Sequence, residues 1–296
     1  GPKYNTGRRM WEAYRLLAPE VKMSPTYANF LNAFPATQQV ARGSIDVTAI
    51  FAVMRSYYQG TPYDLSKAGL DEPSDYPVAA GPTGSSFRAH AGAVEVRTFS
   101  EGRWERSIAT WKTQASVVVC TGLDSANSTM SSGHDLGSIR QRGVIWFAPH
   151  AAHTAVYTPF LTDSVGDPPL PTAVSGPAVT SSVNRSYSFW ANRYVFTMAQ
   201  MRFDLAIQDV AAARSPLEQQ AATLLASLPA DDMAAAALLS AHAESVLHAW
   251  WALSEQLLVW YAEGNCNGCP HATGSGRHFG YPAWWLKAAG YADPLP

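Results

Sequence analysis

The sequence predicts an α+β protein. Its apolar residues first follow a helical period, then form several short β-branched and aromatic runs, and then return to long helical stretches. Strands that follow one another, rather than alternating with helices, are typical of α+β folds. We therefore predict helix and sheet layers in residues 1–160, a linker rich in Pro, Gly and Ser at 161–182, and a helical layer with a C-terminal tail at 183–296.

The first helix with a clear period is predicted over residues 44–59. Its apolar side chains share one face: Ile50, Phe51, Met54, Tyr57 and Tyr58. Gly60 ends the helix and Pro62 prevents its continuation. Asp64 follows within the stretch YYQGTPYDL, where its carboxylate can cap the turn or help to position a site.

The predicted sheet follows a loop at 71–86 that is rich in Pro, Gly, Ser and Asp. VEVRTF (94–99) and RWERSIATW (103–111) form a hairpin pattern across Ser-Glu-Gly. ASVVVCT, GVIWFAP and HTAVYTPF predict further strands, and their continuous apolar runs predict burial on both faces. Arg106 and Ser107 lie on a predicted strand, where an arginine needs a partner. Trp146 can line a cleft, but core packing is the safer interpretation.

Two long helices are predicted after the linker. The first covers SYSFWANRYVFTMAQMRFDLAIQDVAAA (186–213) as one element. The second begins near the capping pair Asp231 and Asp232 and continues to about residue 263. Because its apolar positions surround much of the helix, we expect it to pack on more than one side.

Charge and motif content exclude several classes of function. Lys and Arg (21) nearly balance Asp and Glu (23), and no basic block occurs, so nucleic acid is not a predicted partner. No apolar run reaches the length of a membrane span. Phosphate-loop, dinucleotide and zinc-protease motifs are missing from the sequence, so no cofactor or metal is predicted. His134, His150 and His153 are loosely clustered, and no acidic residue lies beside His150 and His153. We expect these histidines in polar loops rather than at a metal site.

The three cysteines predict an oxidising environment. Cys120 lies in an apolar run and is expected to be a small buried hydrophobe. Cys266 and Cys269 form a CxxC pair that we expect to be a disulfide, which favours the secretory pathway and a lysosomal, vacuolar or extracellular location. A zinc site that also uses His271 and His278 is the alternative. Glycosylation sequons at Asn127 and Asn184 agree with secretion.

Six segments occur in one order along most of the chain: RRMWEAYRLLAP, RSYYQGTPYDLSKAG, GPTGSSFR, RSIATWKTQASVVV, YSFWANRYVFTMAQMRF and GYPAWWLKAAGY. As a set they resemble the cysteine dipeptidases of the dipeptidase A type, which are N-terminal-nucleophile (Ntn) hydrolases related to the secernins. The resemblance implies a four-layer αββα sandwich, here with an extended C-terminal helical region. It also implies hydrolysis of short peptides without a cofactor.

The nucleophile of this family is expected to be a cysteine at the first position of the mature enzyme, whose α-amino group accepts the thiol proton. Residue 1 of this chain is glycine. We therefore expect the nucleophile on a separate N-terminal chain of the same precursor, which completes the sandwich, and no catalytic residue in this chain. A tag-removal scar on a truncated chain is the alternative. A homo-oligomer of higher order is compatible with either arrangement.

The resemblance implies supporting or substrate-binding roles for Asp64, Arg88, Arg106, Ser107 and Trp146. Arg88 ends GPTGSSFR and can bind a peptide carboxylate or form a surface ion pair. The family's asparagines in this loop are Ser or Phe here, and VVVCTG replaces a Gln-x-Arg segment. These departures motivate an alternative function, in which a catalytically degenerate relative serves as a structural or assembly component.

Overall fold

The computed structural model describes residues 7–25, 37–41, 44–66, 107–110, 113–120, 143–162, 182–262, 266–270 and 290. Across these ranges the chain forms five α-helices and one three-stranded antiparallel sheet, which confirms the α+β class. In chain order the elements are α1 (Gly7–Leu17), α2 (Val47–Arg55), β1 (Ala115–Cys120), β2 (Val144–Pro149), β3 (Thr158–Leu161), α3 (Ser188–Ala199), α4 (Phe203–Ala226) and α5 (Asp232–Tyr261). No helix in these ranges is long and apolar enough to cross a bilayer.

The sheet has the order β1-β2-β3, and Val118 lies opposite Trp146 in its register. One face of β1 packs towards the helices, whereas Val117 and Val119 on the other face are 48% and 55% exposed. The prediction of burial on both faces is therefore wrong for β1. All four residues of β3 are buried. Successive side chains of a strand point to opposite faces, so an apolar run alone cannot show which faces are covered.

The core has two clusters of buried side chains. The first packs the inner face of the sheet against α2, the end of α4 and the start of α5, and includes Phe51, Trp146, Tyr157, Leu161, Leu225 and Leu239. The second joins α3, the start of α4 and the end of α5, and includes Val195, Phe203, Val210, Trp250, Leu257 and Tyr261. Because α5 contributes to both clusters, its predicted packing on more than one side is confirmed.

Two helix boundaries differ from prediction. The stretch 186–213 is not one helix, because a 3₁₀ turn at Gln200–Arg202 separates α3 from α4. Arg202 leaves the helical conformation (φ −146°, ψ 66°), is buried, and forms an ion pair with Asp204 at 3.1 Å. The following helix then continues past its predicted end to Ala226.

The helix predicted over 44–59 is shorter in the structure. Asp46 caps its start by accepting a hydrogen bond from the N–H of Ala49 at 2.8 Å. The helix ends at Arg55 because Ser56 is extended and Tyr58 has a φ of 67°. Asp231 likewise caps α5, as predicted, by accepting from the N–H of Ala234 at 2.7 Å.

The division into segments at 161–182 remains a prediction, since residues 163–181 lie outside the described ranges.

Candidate functional site

Asp64 closes the turn that follows α2. Its carboxylate accepts hydrogen bonds from the N–H of Gly60 at 3.0 Å, the N–H of Ser66 at 2.9 Å and the hydroxyl of Ser66 at 2.6 Å. The turn is further closed by the N–H of Leu65, which donates to the carbonyl of Tyr57. Both oxygens of Asp64 are thus engaged locally, which fits the capping alternative better than direct contact with a substrate.

Helix α1 is fixed to the same turn by the carboxylate of Glu12, which sequence reasoning did not identify. Glu12 is fully buried and accepts from the hydroxyl of Ser56 at 2.6 Å and from two guanidinium nitrogens of Arg15 at 2.6 and 2.8 Å. Arg8 lies over the ring of Tyr63 at 3.6 Å. The only local signal was the i, i+3 spacing of Glu12 and Arg15, which is common on exposed helices.

Ser107 directly precedes a bend at residues 108–109, and does not lie on a strand as predicted. Its hydroxyl donates to the carbonyl of Ala109 at 2.8 Å, and the N–H of Ala109 donates to the carbonyl of Ser56 at 3.0 Å. This bonding to the exit of α2 replaces the ladder that a strand would need. The structure therefore attaches both Ser107 and Asp64 to the segment after α2. Arg88 and Arg106 lie outside the described residues.

Trp146 is a core residue. It is buried in the middle of β2 and packs edge-on against Phe51, with ring centroids 5.3 Å apart. Phe51 in turn stacks on Tyr157 at 3.9 Å with nearly parallel rings. The core interpretation of Trp146 thus fits its surroundings, and its proposed role at the site is limited to supporting the sheet.

We expect Asp64→Ala to lower stability by about 1–2 kcal/mol, because the N–H groups of Gly60 and Ser66 lose their acceptor. If Asp64 serves only the turn, kcat and KM per folded molecule should not change. Urea denaturation and peptidase assays on the same preparation measure both quantities. Thr48→Ala is a suitable control, because its hydroxyl bonds to Asp46 at an exposed helix start. A large loss of kcat with normal stability would contradict the capping role.

A largely buried ion cluster joins α2 to α4. Each carboxylate oxygen of Glu218 accepts a hydrogen bond from the guanidinium of Arg55, and the bond to Oε2 measures 3.0 Å. Oε1 also accepts a hydrogen bond from the N–H of Tyr157 at 2.8 Å. The side chains of Arg55 and Glu218 are 13% and 16% exposed. Arg214 lies beside this pair, and burial together with the charge of Arg55 lowers its pKa to about 10.

The segment between β2 and β3, residues 150–157, is held by side chains from three helices. We call it the β2–β3 connection. Arg55 donates to the carbonyls of Ala152 and Ala155, both at 3.3 Å. Arg214 donates to the carbonyl of His153 at 2.9 Å. Trp250 of α5 donates to the carbonyl of Thr154 at 3.0 Å. Four successive carbonyls are therefore satisfied by side chains that are distant in sequence.

His150 and His153 are buried in this connection, so their predicted place in polar loops is wrong. Phe196 contacts both imidazoles, at centroid distances of 4.8 and 5.6 Å. Burial and the charge of Arg193 lower the pKa of His150 to about 4. Burial, His150 and Arg214 lower the pKa of His153 to about 3. Both rings are therefore neutral at pH 7.

A comparison with protein families decides where this chain belongs. The model of Peptidase family C69 matches residues 2–215, which is more than two thirds of the sequence. The chain belongs to peptidase family C69. A search of curated proteins gave no match. The matched region of this C69 chain includes Asp64, Ser107 and Trp146, as well as the two histidines, and it ends within α4.

The cysteines of the C69 chain differ in state. Cys266 and Cys269 form a disulfide, as predicted, with Cα atoms 5.4 Å apart. This bond uses both thiols, so the alternative zinc site lacks its sulfur ligands. In the part of the chain that the structure describes, no group of three His, Cys, Asp or Glu side chains could hold a metal. Cys120 is free and partly buried on β1, and burial raises the pKa of its thiol.

The sequon at Asn184 lies on the surface. Asn184, Arg185 and Ser186 are exposed, and the side-chain oxygen of Asn184 accepts from the N–H of Ser186 at 2.9 Å. Arg185 stacks on Trp251 at 4.4 Å, and its carbonyl accepts from the indole N–H at 2.9 Å, which fixes the segment to α5. Asn184 is thus accessible to modification, whereas Asn127 lies outside the described residues.

Proposed function

We propose that this C69 protein is the downstream chain of a cysteine dipeptidase that hydrolyses short peptides, and that a separate N-terminal chain of the same precursor supplies the nucleophile. Membership in a peptidase family supports peptide hydrolysis. The observation that carries the two-chain arrangement is the state of the cysteines. None of the three in this sequence has the features of an activated thiolate.

A catalytic cysteine needs a thiol that ionises readily, usually beside a cation or at a helix N-terminus. Cys266 and Cys269 are consumed in their disulfide. Cys120 lies on the partly buried face of β1, and its raised pKa keeps the thiol protonated. A sulfur nucleophile must therefore come from outside these residues. In the proposed mechanism it is the first residue of its own chain, where the α-amino group, with a pKa near 8, accepts the thiol proton.

The exposed face of β1 supports a four-layer Ntn sandwich. Val117 and Val119 present β-branched side chains to solvent, and Ile145 and Phe147 follow them on the same face of β2 and are half-buried. Sheets that pack face to face lie about 10 Å apart and cover such residues. We place the second sheet of the sandwich, contributed by the partner chain, on this face.

Within this arrangement the described residues act as support for the cleft. Asp64 fixes the turn after α2, and Ser107 fixes the 107–110 bend to the same segment. We assign substrate binding to Arg88 and Arg106, since a guanidinium can bind the carboxylate of a short peptide through two hydrogen bonds. Trp146 supports these elements from the core beneath the sheet.

A structural or assembly role without catalysis is the second candidate. It is favoured by the engagement of Asp64 and Ser107 in local hydrogen bonds. It is also favoured by the run VVVCTG, which stands where the resemblance implies a Gln-x-Arg segment. This candidate predicts a partner chain but no turnover.

Alkylation of the purified protein distinguishes these functions. We expect turnover of some dipeptides in a panel, and at least a tenfold loss after iodoacetamide treatment. Cys120→Ser should leave both the turnover and its sensitivity to iodoacetamide unchanged, because the reactive sulfur lies elsewhere. Intact-mass analysis should show a copurifying chain that begins with cysteine. Loss of turnover in the folded Cys120→Ser variant would assign the nucleophile to Cys120, and alkylation-resistant turnover in this variant would show that no thiol nucleophile is needed. Silence of the wild type across the panel would support the structural role.

We further propose that the mature protein is a secreted, lysosomal or vacuolar glycoprotein. The disulfide between Cys266 and Cys269 requires oxidising conditions at some stage, and Asn184 offers an exposed acceptor. Its partners in this proposal are the N-terminal chain and the peptide substrate. A homo-oligomer of the assembled two-chain unit is compatible with this proposal.

A further inference from the structure

The β2–β3 connection links the sheet to the helical layer, and its only two histidines are buried within it. We propose that His150 and His153 make this connection an acid-sensitive latch, which is closed while both imidazoles are neutral and opens when they are protonated. The opening separates residues 150–157 from the side chains of α2, α4 and α5 that hold them. The latch is independent of whether the protein hydrolyses peptides.

His153 occupies a site that accepts only a neutral ring. It is 1% exposed, and within the described part of the chain neither ring nitrogen has a hydrogen-bond partner. The rings of Tyr57, Phe196 and Phe203 surround it, with centroids 5.6–6.5 Å away. An imidazolium here would be desolvated and would have no acceptor for either N–H, which is costly.

His150 adds a second buried ring and a strained backbone. Its Nδ1 is buried without a partner in the described residues, and its ring lies between Phe189 and Phe196. Its φ of 65° is unusual for a residue other than glycine. Such strain persists only while the surrounding packing maintains it, so opening of the connection would relieve it.

The charges that face the two rings would oppose protonation. Arg193 approaches from α3 and Arg214 from α4. Arg55 from α2 donates to carbonyls on both sides of His153. In the described part of the chain, the acidic side chain that faces the connection is that of Glu218. Its carboxylate already accepts hydrogen bonds from Arg55 and from the N–H of Tyr157. The neighbouring phenols of Tyr57 and Tyr157 stay protonated, because burial raises the pKa of each.

The direction of the pH effect follows from linkage. The folded-state pKa values of about 4 and about 3 lie below the ordinary histidine value near 6.5. The closed state is therefore fully stabilised above pH 6.5 and loses this advantage as the pH falls towards 4. Between pH 7 and 4.5 the open state should gain about four thousandfold in relative population. A neutral compartment would favour the closed latch, whereas an acidic lysosomal or vacuolar lumen would shift the population towards the open state.

Hydrogen exchange tests the latch in the purified protein together with any chain that copurifies. The N–H groups of His150, Thr154 and Ala155 donate hydrogen bonds and report on closure. After correction for the intrinsic pH dependence of exchange, their protection should fall by about four thousandfold from pH 7 to 4.5. Protection of residues 246–261 in α5 should fall much less. Equal losses in both regions, or no loss in the connection, would overturn the proposal.

Variants assign the effect to the histidines. His153→Phe should reduce the loss of protection to roughly fiftyfold, because only His150 still titrates. His248→Phe removes an exposed histidine of α5 and should behave as the wild type. If His153→Phe does not fold, NMR titration of the wild-type imidazoles gives the same answer. Titration of the assigned His150 and His153 imidazoles only below pH 5 supports the latch, and titration of both near pH 6.5 contradicts it.

Discussion

Replacement of Glu218 by glutamine is expected to lower the free energy of unfolding by about 3 kcal/mol, because the change removes the charge that compensates two neighbouring guanidiniums. Arg55 contacts both oxygens of Glu218, and Arg214 lies within their electrostatic reach. The amide of glutamine also presents N–H donors where Arg55 needs acceptors. Urea denaturation monitored by tryptophan fluorescence measures this loss as a lower midpoint at an unchanged slope.

The ion pair of Arg185 and Glu255 provides the matched control. It pairs the same two residue types through one contact at 2.8 Å, but its side chains are 63% and 64% exposed. Glu255→Gln should change stability by less than about 1 kcal/mol, since water solvates either group once its partner is gone. Similar losses for Glu218→Gln and Glu255→Gln would show that burial of the first pair contributes little.

Local features of the fold could be predicted from the sequence because their physical cause is local. Asp231 caps α5, as predicted, through a hydrogen bond to the residue three positions later. The strands β1 and β2 lie within the apolar runs that predicted them, whereas β3 shares only residues 158–160 with the predicted run HTAVYTPF (153–160). The break after α3 was missed because it depends on Arg202, which pairs with Asp204 and is buried by the fold. The apolar periodicity of the sequence does not indicate that an arginine is buried at this position.

The candidate site was less accessible to sequence reasoning, because its contacts are distant along the chain. Arg55 and Glu218 are 163 residues apart, and Trp250 reaches Thr154 across 96 residues. The sequence around His150 and His153 predicted a polar loop. Their burial becomes visible only in the fold, where α3 and α4 pack over both rings. Asp64 was found through the resemblance of its segment, but its hydrogen bonds show what the carboxylate does locally.

Trp250 is expected to give the other large effect on stability. It is fully buried in the second core cluster, and its indole N–H donates to the carbonyl of Thr154 at 3.0 Å. Trp250→Ala should cost about 4 kcal/mol through the cavity that it leaves. Trp250→Phe retains most of the apolar volume and should cost about 1–2 kcal/mol, because the carbonyl of Thr154 loses its donor.

The variant Trp190→Phe is a control that separates the effect of losing a hydrogen bond from the effect of losing indole volume. Its N–H is buried but has no partner among the described residues, so Trp190→Phe removes no bond and should change stability by less than about 0.5 kcal/mol. Denaturation midpoints of the two Trp→Phe variants test the difference. Equal losses would indicate that volume, and not the bond to Thr154, determines the effect. A larger loss for Trp250→Phe, with faster amide exchange at Thr154 and Ala155 at pH 7, would instead show that α5 holds the β2–β3 connection through this single N–H.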